Sequence, residues 1–214
     1  MSKIVEKSAA DGLEPLRAAI SRCRICRDNP RKGAKPLPHE PRPVAVISRS
    51  AKILIAGQAP GLRVYESGLP FDDASGNRLR DWLGVDRETF YNPDCLAIVP
   101  MGFCFPGYDK NGSDMPPRRE CAPQWRDEVM AAMPQIELIL TIGLYAQRWH
   151  LGDELQGNMT ETVAQWRRYL NRNSGVKVMA LPHPSWRNTG WLKRNLWFEE
   201  ELLPILKDTV RNLL

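Results

Sequence analysis

The sequence predicts an α/β fold, a three-layer α/β/α sandwich around a central, mainly parallel sheet of four strands. Four short apolar runs, at Lys52–Ala56, Leu96–Val99, Ile136–Ile142 and Val176–Leu181, read as buried strands. Segments with apolar residues at helical spacing lie between them, and strands alternating with helices favour a parallel sheet covered on both faces. The 214 residues suffice for one substantial core, and 43% hydrophobic with 26% charged residues is a globular balance. One domain is therefore expected over residues 1–214, with 1–45 as a helical and proline-rich N-terminal extension.

Leu13, Leu16, Ile20 and Cys23 fall on one helical face, and this first helix is expected to end near Asp28-Asn29-Pro30. Pro30 to Pro43 holds five prolines and four basic residues, so it reads as an extended loop or linker. After the first strand, Ser75-Gly76-Asn77 opens a helix through Leu79, Trp82 and Leu83. The second strand leads into a Gly- and Pro-rich loop from Pro100 to Pro117, followed by a helix marked by Ala122, Trp125, Val129 and Ala132. Gly143 stops the third strand before a short helix at Tyr145–Leu151, and Thr160–Leu170 is helical. Leu202, Leu206, Val210 and Leu213 form the last helical stripe, which Pro204 starts or kinks.

The net charge of +5 and pI near 9.0 permit a polyanionic partner without demanding one. Met1–Lys7 lacks a signal-peptide pattern, and the most apolar stretch, Ile136–Ala146, contains Glu137 and Thr141. A cytoplasmic protein without membrane association is expected. In that setting five cysteines are thiols, metal ligands or buried side chains rather than a disulfide framework. Cys95, at the start of a strand, reads as simply buried.

Two motifs carry most of the functional information. Gly57-Gln58-Ala59-Pro60-Gly61 follows the first strand, and His183-Pro184-Ser185 follows the fourth. Ligands of open α/β sheets bind beyond the C-terminal strand ends, so both turns are expected to face one pocket. A Gly-Pro-Gly turn brings backbone amides close to a ligand, and an opposing histidine can stabilise negative charge on it. A histidine that merely ends a strand is the plainer alternative.

Together with Gly68-Leu69-Pro70-Phe71, Ser75-Gly76 and the cysteines Cys23, Cys26, Cys104 and Cys121, these motifs resemble the uracil-DNA glycosylase superfamily, particularly its iron–sulfur bacterial and archaeal branches. The likeness runs from Cys23 through most of the chain. It implies an enzyme that extrudes a damaged nucleotide, grips its base and hydrolyses the bond to the sugar. The leaving pyrimidine gains negative charge while the sugar becomes oxocarbenium-like, so a donor toward the base and a carboxylate near the sugar are needed. The resemblance gives His183 the first role.

The carboxylate departs from the pattern. Branches of the family place a glutamate second or an aspartate third in the first motif, where this chain has Gln58 and Ala59. Asp73 matches an aspartate used by one iron–sulfur branch and is expected to position water or stabilise the cation; alternatively Asp72 and Asp73 belong to a turn capping the next helix. Gln58 would then orient water or the sugar. Phe71 matches the residue that stacks beneath the base, and Gly57, Ala59, Pro60, Gly61, Ser185 and Asn188 complete the expected substrate contacts. Where the family reads uracil with an asparagine, this chain has Pro100. Backbone groups of that loop could read the base instead, or another deaminated base such as hypoxanthine or xanthine could be accepted.

Cys23-x-x-Cys26, Cys104 and Cys121 satisfy the ligand count of a [4Fe–4S] cluster, which the resemblance implies in a structural role. Zinc and ordinary packing are the alternatives the spacing leaves open. After His183-Pro184-Ser185, Trp186 is a candidate wedge and Arg187, Lys193 and Arg194 are candidate phosphate contacts, whereas Trp191 and Trp197 are expected to pack the final helix. Arg31, Lys32, Lys35 and Arg42 could extend the phosphate track. The expected partner is DNA containing a deaminated base, bound by a monomer. A non-catalytic nucleic-acid-binding protein and a cysteine-based redox or zinc protein are the rivals from other classes.

Overall fold

The computed structural model describes residues 12–173 and 175–214. The first eleven residues of the expected N-terminal extension, and Ser174, lie outside the described residues. Four strands form one parallel sheet: β1 (Ile53–Ala56), β2 (Leu96–Ile98), β3 (Leu138–Ile142) and β4 (Lys177–Leu181), in the order β2-β1-β3-β4. Ile53 pairs with both Leu96 and Leu138, and Leu138 pairs with Lys177. Every strand residue except Lys177 is buried. Successive side chains point to opposite faces, so burial throughout means that both faces are covered. The expected sandwich is present.

The chain runs from β1 outward to β2 and then back across to β3, so the strand order reverses at β1. The crevice beyond the C-terminal ends there is the place such sheets offer a ligand. Helices α3 (Leu62–Ser67), α4 (Ala74–Leu83) and α5 (Arg87–Tyr91) connect β1 to β2. Helix α6 (Cys121–Ala131) precedes β3, and α7 (Leu144–Leu151), α8 (Met159–Ala164) and α9 (Trp166–Leu170) lead to β4. The expected single helix over Thr160–Leu170 is therefore two, parted at Gln165. Asn158 and Glu161 close a reciprocal cap on α8.

The expected first helix is also divided. Helix α1 (Glu14–Ser21) stops at Arg22, and a separate turn, α2 (Ile25–Asp28), carries Cys26. The segment 30–43 is no free linker: Leu37 is buried and its N–H donates to the Cys26 carbonyl at 3.0 Å. Just beyond it, Val46 bridges Ile98 and covers the outer edge of β2. Residues 189–194 form α10 (Thr189–Arg194). A wider turn at Phe198–Leu202 then leads into α11 (Leu203–Leu213), where Pro204 occupies the first turn. Trp191 packs edge-on against Trp197 and Phe198, as expected. Among the described residues no helix is long and apolar enough to cross a membrane.

Candidate active site

A pocket of about 90 Å³ opens beyond the C-terminal ends of β1 and β2. The whole first motif, Gly57 to Gly61, lines it, and His183 lines it too. The two distant turns therefore converge. Phe71, Asp73 and Pro100 complete the expected wall, and Asp114 joins from the 100–117 loop. Ser185 and Asn188, expected as substrate contacts, are not among the lining residues. They brace the histidine instead: the Asn188 side-chain amide donates to the His183 carbonyl at 2.7 Å, and the Ser185 carbonyl accepts from Arg78 at 2.9 Å.

Phe71 is held in place by its backbone. It is a non-glycine residue with positive φ, at 54°, a conformation that costs free energy and persists only when its surroundings impose it. The Tyr91 hydroxyl donates to its carbonyl at 3.2 Å, and its ring meets Phe90 edge-on. Gly76 supplies the space: a Cβ there would sit 1.8 Å from the Phe71 carbonyl oxygen. The motif glycine Gly57 lies against the same ring, since a Cβ at that position would be 3.4 Å from Phe71 Cζ. A planar ring edge and a side-chain-free strand end thus form the inner part of the pocket.

Asp73 is the N-cap of α4, its Oδ1 accepting from the Ser75 hydroxyl at 2.5 Å and the Gly76 N–H at 2.9 Å. The capping alternative is realised, and it coexists with a place in the pocket wall. Asp72 points to other business, pairing with Arg87 at 3.1 Å. Burial lowers the pKa of His183, against the opposing charges of Asp73 and Asp114, so the ring is neutral near pH 7 and offers one N–H. Asp114 is shifted the other way: the pocket wall raises its pKa, outweighing Arg187 and His183.

Residues 99–103 offer no free backbone N–H to a base. The N–H groups of Val99, Met101 and Gly102 donate to the carbonyls of Ile55, Gly57 and Gln58, each at 2.9 Å. Phe103 N–H donates to Cys121 Sγ at 3.3 Å, and Pro100 has none to give. Beneath the loop lies Arg126, which the sequence reading missed. It is 1% exposed and donates to the Val99 carbonyl at 2.9 Å and to His150 Nε2 at 2.8 Å. Burial, aided by Arg126, pushes His150 down to about 3, so it accepts as a neutral ring.

Cys23, Cys26, Cys104 and Cys121 line a second, small cavity of about 20 Å³, with apolar walls that include Leu37, Phe103 and Trp125. Among the described residues no three or more His, Cys, Asp or Glu side chains form a group able to hold a metal ion. Four thiols beside one apolar-walled space are the donor type and number that a [4Fe–4S] cluster takes, each thiolate binding a different iron. Cys95 stands apart and is only half-buried, not enclosed as expected.

The candidate DNA contacts lie on the loop and helix after His183. Trp186 is 77% exposed, and Arg187, Lys193 and Arg194 are exposed around it. Arg42, also exposed, donates from its guanidinium to the Tyr65 and Glu66 carbonyls at the end of α3.

A solution NMR structure from Methanosarcina acetivorans, described as a candidate uracil DNA glycosylase, is similar to 77% of this chain and 94% of its own, at 14% identity and a TM-score of 0.45. Residues 44–207, well over half of the chain and including both pocket-forming turns, match the model of the uracil DNA glycosylase superfamily. The chain belongs to that superfamily.

Proposed function

We propose that this protein is a DNA repair glycosylase that extrudes uracil from DNA and hydrolyses its N-glycosidic bond to leave an abasic site. The observation that carries the reading is the convergence of Gly57–Gly61, Phe71 and His183 on one pocket at the sheet's C-terminal edge. Extrusion costs unstacking, which the Phe71 ring offsets by stacking on the base. The neutral His183 ring donates to the pyrimidine oxygen as negative charge builds there, an interaction worth about 3 kcal/mol in comparable sites. Asp73, charged and fixed as a cap, faces the sugar and stabilises its cationic character, with Gln58 orienting water or the sugar.

Trp186 fills the gap left in the stack, and Arg187, Lys193 and Arg194 hold the phosphates on either side. Cys23, Cys26, Cys104 and Cys121 would hold a [4Fe–4S] cluster that ties α2, the 100–117 loop and α6 together as a structural cross-link. The matching readout is a broad visible absorbance band from anaerobically purified protein, lost in Cys104→Ser.

One observation favours a broader base range. Because residues 99–103 have no free N–H and Pro100 carries no side-chain amide, this loop supplies no donor that selects uracil over hypoxanthine or xanthine. Duplexes bearing one uracil, hypoxanthine or xanthine test both readings. Alkali-labile cleavage at the lesion, abolished by His183→Ala and unchanged by His39→Ala, supports a glycosylase. Tight binding without cleavage supports a non-catalytic binding protein.

A further inference from the structure

Asp114 belongs to no motif in the sequence, yet it enters the pocket on a defined turn. Tyr108 and Asp114 form an antiparallel bridge, Asp109 N–H donates to the Ser113 carbonyl at 2.8 Å, and Met115 N–H to the Gly107 carbonyl at 2.9 Å. The Asp109 carboxylate ties the tip by accepting from Asn111 and Ser113 N–H. This turn sets the Asp114 carboxyl opposite the last glycine of the first motif, where a Cβ on Gly61 would lie 3.7 Å from Oδ2. His183 and Asp73 line the same space.

The two pocket carboxylates are not equivalent. Oδ1 of Asp73 is already engaged by two donors, the Ser75 hydroxyl and the Gly76 N–H, in its capping role. Among the described residues nothing donates a hydrogen bond to the Asp114 carboxyl. One side of it is open to solvent while the pocket wall desolvates the other, raising its pKa; the charged groups facing it are Arg187, His183 and Asp73. A negative charge at the mouth of a site for DNA repels phosphate, a cost that a reactive role offsets.

We propose that Asp114 is a second catalytic carboxylate of this pocket, the base that takes the proton of the hydrolytic water. Resting on the glycosylase reading above, it completes the reaction as follows. The water oxygen bonds to C1′ as the C1′–N bond breaks, and that bond's electron pair leaves with the base. The water proton passes to Asp114; the base anion, held by His183, then gains a proton from solvent, and Asp114 returns its own to solvent. One water is consumed, and free base and abasic sugar are released.

Single-turnover excision by wild type, Asp114→Asn and Asp73→Asn, from pH 4 to 8.5 on the three lesion duplexes, tests this, alongside affinity for a duplex with a tetrahydrofuran abasic analogue. Asp114→Asn is expected to slow excision about 100-fold or more, to bind the analogue at least as tightly, and to lose the rise of rate with pH. Thermal melting checks that the variant is folded. Excision within threefold of wild type, an unchanged pH profile, or a loss of affinity that parallels the loss of rate each overturns the assignment while leaving the glycosylase reading intact. A wild type that releases none of the three bases overturns both.

Discussion

The Arg78 guanidinium, on α4, donates to the Ser185 carbonyl at 2.9 Å and approaches the Thr189 hydroxyl at 3.4 Å. The helix that Asp73 caps therefore also holds the loop that carries His183. Anion stabiliser and carboxylate are placed by one rigid element. A displacement of about 1 Å at a reacting group can cost on the order of 100-fold. Arg78→Ala is expected to lower single-turnover excision by about 10- to 100-fold while leaving the melting temperature within a few degrees. Arg78→Lys, which can make one of the two contacts, should recover part of the loss. Unchanged excision in Arg78→Ala would remove the link between α4 and the histidine loop.

Gly76→Ala should disable the pocket without touching any group proposed to react. The new methyl would meet the Phe71 carbonyl, and backbone cannot rotate away as a long side chain can. Forcing a group into a filled space costs about 1–3 kcal/mol, or several degrees of melting temperature in a chain this size. Excision should fall with stability, and a structure of the variant should show the Phe71 ring displaced from Gly57. An undisturbed ring with full activity would mean that the strained conformation at Phe71 has no bearing on base binding.

The sheet was legible because its strands are apolar on both faces, and that pattern has few explanations other than a covered parallel sheet. Short helices were less so. Helix α3 and α5 have five or six residues each, too few to establish a periodic stripe, and the Gln165 break in Thr160–Leu170 interrupts no apolar pattern. The pocket's glycine turn, Phe71, Asp73 and His183 were readable from motifs that end strands or open helices. Sequence adjacency to His183 does not fix which way a side chain turns: the Asn188 amide donates to the His183 carbonyl rather than lining the pocket. Asp114, Arg78 and Arg126 sit in no motif; only folding brings them to the site, and a loop acid or a helix arginine has no sequence signature of its own.

Asp73 carries a capping role and a proposed electrostatic one, and two substitutions separate them. Asparagine caps a helix about as well as aspartate, whereas alanine costs about 1 kcal/mol. Both remove the charge. Asp73→Asn and Asp73→Ala are therefore expected to slow excision to a similar extent, with only the alanine variant melting at a lower temperature. Full excision by Asp73→Asn, with loss in Asp73→Ala, would assign Asp73 to helix capping alone.

Acid should destabilise the fold through a histidine outside the pocket. His150 is neutral in the folded protein with its pKa pushed down to about 3 by burial and by Arg126, whose guanidinium it accepts at 2.8 Å. In the unfolded chain it titrates near its ordinary value of about 6.5. Below that pH the unfolded state binds the proton and the folded state does not, so stability present at neutral pH is lost as pH falls from about 6.5 towards 3, by up to about 1.4 kcal/mol per pH unit. His183, also held below its usual value by burial, adds a loss of the same sign. Carboxylates contribute little above pH 5.5, which makes urea unfolding between pH 5.5 and 7.5 the cleanest measurement. His150→Gln keeps a carbonyl acceptor for Arg126 but cannot take up the proton, so its stability should fall less steeply than that of wild type over this range. Equal slopes in the two proteins would place the acid sensitivity elsewhere and would mean that the Arg126–His150 contact opens at no protonation cost.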